Sequence, residues 1–549
     1  MRNIKENRTH SFMGSVAVIL MSQIVIKLLG MIYRLVITNI RGFGDAGNGF
    51  YNAGFQIYTL LLAISSIGIP NAIAKMVSER AALDDYKGAH KIFRTAFFLF
   101  AGIGLVSAAF LFFGADFIAR RIIKMDGAQY TLRALAPSIF FVCVSSVIRG
   151  YFVGLKNMKA TSMSQVLEQF FKSTVTIAIV WLLVGQSPEI MAAGANLATS
   201  VATVISFGYL VVFYARRKRG LSENAAKCAG EELSKSTLDM IKSILMISVP
   251  ISLGSVISAV NRVIDTATIT RGIETAVALG LETYKGNTAA EEAVRLAGLL
   301  SKSDVLINMP LALNIAFSTV LVPSISGALA VGDREEASDK VSYSFLISIL
   351  LVLPCAAGYI ALAQPIYKLL YPNAQLGASL LQLSAVALIF TALNQTMSGS
   401  LQGMGKVFVP ATGLFFGCMA KIILNILLIR IPSVNIYGAA ISSIVCQVIS
   451  FVICFRILSR NIDIKIGFKK YILKPAAANI LMGAAAFGIY EAVLSLIGSN
   501  NIAVCVSILA AVIIYAALVL YMKILSRENI LALPAGAKIL RLCERLGIY

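Results

Sequence analysis

Residues 13–38 read MGSVAVILMSQIVIKLLGMIYRLVIT. The run is long and apolar enough to cross a bilayer as a helix, which takes about 20 residues at about 1.5 Å rise each. It nevertheless carries two cations, Lys27 and Arg34. Seven positions separate them, so they share nearly one helix face, about 10 Å apart along the axis. A cation in the hydrocarbon costs at least about 2.5–3.5 kcal/mol on insertion scales. Two on one face are expected to meet a water-filled cavity or an anionic partner rather than lipid.

The rest of the chain has the same character. Of 549 residues, 58% are hydrophobic and only 14% charged. That leaves too little polar surface for a soluble protein of this size and points to a polytopic membrane protein. The net charge of +21 sits in short clusters between apolar runs. This is the distribution of cations on the cytoplasmic side of a membrane, and it argues against nucleic acid as a partner. The eight cysteines lie mostly in apolar runs, with no C-x-x-C pair and no zinc-like spacing, and the two histidines, His10 and His90, are in polar segments. A histidine metal site or a Ser-His-Asp triad has almost no material to work with. The basic N-terminus precedes a long span without a small-residue cleavage site, and it reads as a retained first helix.

We count about fourteen apolar spans: 13–38, 50–76, 93–113, 132–153, 163–185, 191–214, 244–269, 303–330, 342–363, 378–402, 408–430, 437–458, 474–497 and 502–522. Alternate gaps are basic, with Arg80, Lys87, Lys91 and Arg94 in one, Lys156 and Lys159 in the next, and Arg216 to Lys242 in a third. Lys469, Lys470 and the tail cations Lys523, Arg527, Lys538, Arg541 and Arg545 continue the pattern. An even number of spans and this bias place both termini in the cytoplasm of a multi-pass plasma-membrane protein. One segment, 114–130, is expected outside yet holds Arg120, Arg121 and Lys124, and it reads as an amphipathic helix on the membrane surface.

The polar stretch between the sixth and seventh spans divides two similar halves. VISF occurs at 204–207 and again at 448–451, Gly194 corresponds to Gly438, and Arg216 to Arg460, each pair 244 residues apart. Residues 154–161 match 403–412, 69–77 match 322–330, and Lys172 and Lys421 hold comparable places in the fifth span of each half. The expected architecture is all-α, with two pseudo-symmetric six-helix lobes and two further helices. Residues 1–215 form the N-terminal lobe, 216–243 a basic cytoplasmic linker, 244–460 the C-terminal lobe, and 461–549 a helix pair with a basic tail. A substrate site then belongs between the lobes at mid-depth.

Few ionisable residues fall inside spans. Lys27 and Arg34 in the first span and Arg262 in the seventh are expected to line a cationic cavity. Asp265, three residues after Arg262, would orient it. Glu168 and Lys172 have the i,i+4 spacing of an ion pair on one helix face. Lys302 and Asp304 begin the eighth span, and Lys172 and Lys302 are secondary cations. Glu168, Asp265 and Asp304 are the carboxylates able to couple transport to Na+ or H+, membrane potential being the other source of energy. Arg149, Lys156 and Lys421 read as cations that snorkel to headgroups. Prolines 137, 250, 310, 323, 354 and 410 fall in or beside spans, where helices can bend. The glycine-rich loop RGFGDAGNG at 41–49 lacks the Lys-Ser/Thr ending of a nucleotide loop, and no Walker motif appears.

Six segments together carry a family resemblance: KLLGMIYRL (27–35), GIPNAIAKMVSE (68–79), IRGYFVGLKNM (148–158), SQVLEQFFK (164–172), NRVIDTATI (261–269) and LQGMGK (401–406). The chain resembles the multidrug/oligosaccharidyl-lipid/polysaccharide flippase superfamily, in the branch of MurJ and stage V sporulation protein B. The resemblance implies a fourteen-helix transporter that moves an undecaprenyl-diphosphate-linked sugar, foremost lipid II, from the inner to the outer leaflet of the bacterial plasma membrane by alternating access. It implies membrane lipids and cell-wall synthesis machinery as partners, no cofactor beyond a coupling ion, and a lipid-tail groove in the last two helices. A flippase for a capsule, teichoic or spore-cortex precursor, a drug/cation antiporter, and a scaffold in wall assembly are the alternatives. The family's first-helix cations match Lys27 and Arg34. Its eighth-helix cation falls where this sequence has Val305, with Lys302 or Arg262 as the substitute.

Overall fold

The structure is a computed structural model that describes residues 25–527 except 67, 84, 156, 228–235, 331, 465 and 466, and beyond them only 540, 541 and 544. The expected features within 1–24, and Lys156, Lys235, Lys465, Lys538 and Arg545, lie outside the described residues. Among the described residues there are helices and no strands. Residues 25–39 form α1. There follow α2 (Gly44–Ser65), α3 (Ile69–Ala82), α4 (Tyr86–Phe117), α5 (Ala128–Gly154), α6 (Met158–Leu182), α7 (Pro188–Lys227) and α8 (Thr237–Ala278). Then come α9 (Ala289–Ala330), α10 (Arg334–Leu370), α11 (Ala378–Gly403), α12 (Phe408–Leu428), α13 (Tyr437–Ser459), α14 (Lys474–Ile497) and α15 (Asn500–Tyr521).

Local chemistry sets the helix limits. Asp85 accepts the Gly88 N–H at 2.7 Å and starts α4, and Asp333 does the same for Glu336 at 2.8 Å before α10; each satisfies a first-turn donor that has no partner within its helix. The expected span 50–76 is interrupted after Ser65 and resumes with Pro70 in the first turn of α3, yet Gly44–Ala81 still counts as one candidate membrane span. The presumed loop 41–49 is largely helix, since α2 begins at Gly44. The segment 114–130 is not a separate surface helix. It continues α4 through a π-helical turn, Ile118–Ile123, that buries Ile118, Ala119 and Ile123 and ends at Lys124 in the left-handed region. Helix also occupies much of the stretch expected to be linker, as α7 runs to Lys227 and α8 begins at Thr237.

Eleven helices among the described residues are long and apolar enough to cross a membrane, or twelve when α8, bent by 49° between Val249 and Ser252, counts as one. The bend spans Pro250, which supplies no N–H to the helical ladder. Two expected spans stand outside this count. Span 13–38 is described only from residue 25, and α6 is made more polar by Gln165, Glu168, Gln169 and Lys172. The helices present apolar residues outward, including Phe113, Trp181, Leu496 and Ile513, as lipid-facing surfaces require.

The helices cluster into two compact units: the chain up to Ser301 with Lys421–Ala439, and Lys302–Ala420 with the residues from Ala440 on. The first has a core around Tyr33, Tyr51, Leu132, Ile139 and Val294 and another around Ile73, Phe93, Val147 and Tyr151. The second is built on Phe345, Leu346, Leu401, Leu458 and Val519. Small residues let the helices approach closely. A Cβ at Gly150 would lie 2.8 Å from the Pro70 carbonyl oxygen, and one at Gly154 2.7 Å from Val77. In the second unit Gly399 and Gly403 meet Ser318 and Val322 at 2.6 and 2.9 Å in the same way. The interval from 150 to 399 equals that from 154 to 403, and also that from Lys172 to Lys421.

The tightest approach is at Gly298, where a Cβ would stand 1.8 Å from the Asp45 carbonyl oxygen, whereas a Cβ at Gly327 of the same helix meets nothing within 4 Å. Gly298→Ala is therefore expected to lower the melting temperature of the purified protein by several degrees, corresponding to about 1–3 kcal/mol of overpacking, and Gly327→Ala to leave it unchanged.

Candidate functional site

The first unit gathers cations around a set of aromatic rings. Arg34 on α1 is buried. Its guanidinium donates to Ser301 Oγ at 2.8 Å and lies 4.3 Å from the centre of the Tyr51 ring. Its Nε is buried and has no hydrogen-bond partner among the described residues. Tyr51 and Tyr33 join their hydroxyls at 2.9 Å. Lys172 on α6 reaches the same group from the other side, with Nζ 4.5 Å from the Phe55 ring centre and 5.9 Å from that of Tyr33. Phe55 stacks on Tyr51 with ring centres 5.9 Å apart. Among the described residues neither Arg34 nor Lys172 has a carboxylate partner. Aromatic faces attract cations but carry no net charge to cancel them.

Two further cations belong to this unit. Lys27, seven residues before Arg34, is exposed and has no ion-pair partner among the described residues. It lies close enough to Arg262 of α8 for the two charges to repel. Arg262 donates through Nε to Gln56 Oε1 on α2 at 3.0 Å. The three cations assigned to the cavity thus all fall in the first unit, on α1 and α8.

The carboxylates have other partners than the spacing indicates. Glu168 does not pair with Lys172. It accepts from Arg149 of α5 at 2.6 Å, and Arg149 also donates to Ser164 and Ser206 at 2.9 Å. Arg149 is thus a buried structural cation and does not snorkel. Asp265 does not orient Arg262. It accepts from Lys421 Nζ at 2.7 Å and from Asn425 Nδ2 at 3.0 Å, and Lys421 is only 2% exposed, so it does not snorkel either. In both cases a donor on another helix can approach head-on, a geometry that neighbours on one helix cannot match.

In the second unit Lys302 is 1% exposed and donates to the carbonyls of Ala374 and Leu376 at 2.6 and 2.8 Å. The rings of Tyr367 and Tyr371 stand 5.4 and 5.3 Å from its Nζ. It ties down the turn after α10 and is not presented to a ligand. Asp304 is exposed, and its backbone carbonyl accepts from Asn308 at 2.7 Å. No group of three His, Cys, Asp or Glu side chains suited to a metal ion occurs among the described residues. An apolar hollow of about 360 Å³ lies in this unit between α10, α11 and α14, lined by Leu353, Ala357, Ile389, Ile480 and Gly483, with Asn479 at its edge. The last helix, α15, supplies none of these residues.

Sequence reading missed Ser301, Tyr33, Tyr51, Phe55 and Gln56. Their relation to the cations depends on which helices meet, and apolar or small polar residues give no sign of it.

A multi-helix membrane protein with buried cations held among aromatic rings, and with two of its intramembrane carboxylates, Glu168 and Asp265, ion-paired, is a transporter of the multidrug/oligosaccharidyl-lipid/polysaccharide type in fold. The solved structure titled "Lipid II flippase MurJ, inward closed conformation" superposes with a TM-score of 0.67, covering 91% of this chain and 97% of that one at 14% identity. An inward-facing multidrug resistance MATE family transporter of the MOP superfamily matches with a TM-score of 0.61, over 80% and 98% of the two chains at 15% identity. The family described as Polysaccharide biosynthesis protein matches residues 12–329, more than half of the chain, and the chain belongs to it. The family Lipid II flippase MurJ matches residues 291–523. Two homologues from Bacillus subtilis (strain 168) are each 24% identical. Lipid II flippase MurJ aligns over 84% of this chain and 84% of its own length, and Stage V sporulation protein B over 95% and 98%. Such proteins are transporters and not enzymes.

Because Arg149 neutralises Glu168 inside the first unit, Arg149→Leu is expected to destabilise the protein by about 2–4 kcal/mol. Lys172→Met, which removes a cation without a carboxylate partner and leaves a side chain that packs on Phe55 and Tyr33, is expected to cost less than about 1 kcal/mol. Thermal unfolding of both variants in detergent checks the contrast.

Proposed function

We propose that this protein is a flippase for a lipid-linked sugar precursor and that lipid II is its substrate, carried from the inner to the outer leaflet of the bacterial plasma membrane. The observation that carries this reading is the pair of buried cations Arg34 and Lys172, held by rings and a serine with no carboxylate among the described residues to neutralise them. Such a place is stable in a membrane chiefly when an anion visits it. A lipid diphosphate carries about two negative charges, and its apolar tail can stay in the bilayer while the head crosses. Arg34 offers a planar fork suited to phosphate oxygens, Lys172 a point charge, and Lys27 and Arg262 further cations in the same unit. The apolar hollow at α10 and α14 suits a lipid tail. Homology to a lipid II flippase and to a sporulation protein supports the class of substrate. The lobed repeat and both termini in the cytoplasm belong to this proposal, as do wall-synthesis partners. A drug/cation antiporter needs an open carboxylate, whereas Glu168 and Asp265 are both paired with cations.

Arg34→Ala is expected to abolish complementation of a strain lacking its lipid II flippase while the protein level is unchanged. Lipid II reaching the outer leaflet should fall by about tenfold or more, the effect of losing one charged contact of about 1.5–3 kcal/mol. Arg34→Lys should retain part of the activity. Full complementation by Arg34→Ala would remove the cation from the site, and normal lipid II exposure after depletion of the protein, in a cell with no second flippase, would refute the substrate.

A further inference from the structure

Lys421 is a buried ammonium surrounded by oxygen. Its Nζ donates to Asp265 Oδ2 at 2.7 Å, to the Asn261 carbonyl at 3.1 Å and to Asn261 Oδ1 at 3.2 Å. The three donors of the ammonium thus have three acceptors. The second Asp265 oxygen takes Asn425 Nδ2 at 3.0 Å, and the same amide donates to Thr268 Oγ1 at 2.8 Å. One carboxylate, one backbone carbonyl and one amide carbonyl converging on a point charge form the ligand chemistry of a hard monovalent cation. An ammonium is close in size to an alkali ion. Two partners on α8, four residues apart, supply the oxygens, and α12 supplies the ion covalently.

The chain contains its own comparison. Lys172 stands at the same interval before Lys421 that separates Gly150 from Gly399. At Lys172 the surroundings are rings with no carboxylate, and at Lys421 a carboxylate and carbonyls. Burying a lysine does not by itself call for the second arrangement, since the first also buries one. We propose that Lys421 is a tethered cation: its ammonium permanently fills an alkali-cation site formed by Asp265 and Asn261, so that the native protein takes up no Na+ at Asp265, and removal of the lysine opens that site. This inference does not depend on which lipid is carried.

The test compares melting temperatures of the purified full-length protein in NaCl, methylammonium chloride and an equal concentration of choline chloride. The native protein should melt at the same temperature in all three. Lys421→Ala should be stabilised by about 3 °C or more in NaCl or methylammonium chloride relative to choline, by binding of the free ion to the folded state. Adding Asp265→Asn to Lys421→Ala should remove that gain. If Lys421→Ala cannot be purified in choline, purification in methylammonium chloride becomes the readout, with recovery supporting the proposal. A Lys421→Ala protein indifferent to every cation, or one that fails to fold in all of the salts, overturns it. A native protein that is itself stabilised by Na+, with the gain lost on Asp265→Asn, overturns it as well.

Discussion

An ion removed from water into a low-dielectric interior loses hydration worth several kcal/mol even after relaxation. Buried cations in the described part of this chain include Arg34, Arg149, Lys172, Lys302 and Lys421, and much of the packing follows from how each is satisfied. Arg149 takes a carboxylate and two serines from neighbouring helices, and so binds α5, α6 and α7 to one another. Lys302 takes two carbonyls from the turn after α10. Lys421 takes a carboxylate and a carbonyl from α8. Arg34 and Lys172 alone among these five are left with rings and one neutral hydroxyl. The five are thus told apart by their partners, since all are equally foreign to an apolar helix.

Helix packing gives these partners their precision. In hydrocarbon, helices gain nothing from hydrophobic association and rely on close fit and hydrogen bonds. The glycines at 150, 154, 399 and 403 bring neighbouring helices to within a methyl group of each other's backbone. The same fit places Val294 against Gly49, and Gly298 against Asp45, at the beginning of α2. That contact sets the N-terminal part of α9, which ends in the Ser301 hydroxyl on Arg34. The position of the guanidinium is therefore determined by a glycine contact on a helix that contributes no charge to the site.

The helical class and the positions of most spans were legible because a bilayer demands about 20 apolar residues in sequence, a local property. The first-span cations were legible for the same reason: a charge inside such a run stands out. Partners were not. Glu168 and Lys172 have ideal spacing on one helix, yet Glu168 goes to Arg149, nineteen residues earlier in the chain. An i,i+4 pair is worth only about 0.3–0.5 kcal/mol when exposed, less than a head-on pair between helices in a dry environment. Lys302 likewise has the sequence of a cavity cation, and only the turn at Ala374 and Leu376 reveals it as a structural one. The helical form of residues 114–123 was obscured because Arg120 and Arg121 resemble a surface motif, while the π turn that carries them buries Ile118 and Ile123.

Lys172 and Lys421 are separated by the same interval as the glycine contacts at 150 and 399 and at 154 and 403, yet the two lysines are satisfied in different ways. Asp265 closes on Lys421 and neutralises its charge. The corresponding lysine keeps Tyr33 and Phe55, which stabilise the charge without cancelling it. A single carboxylate on α8 thus makes Lys421 an internal strut, whereas Lys172 stays a buried cation without a carboxylate partner among the described residues.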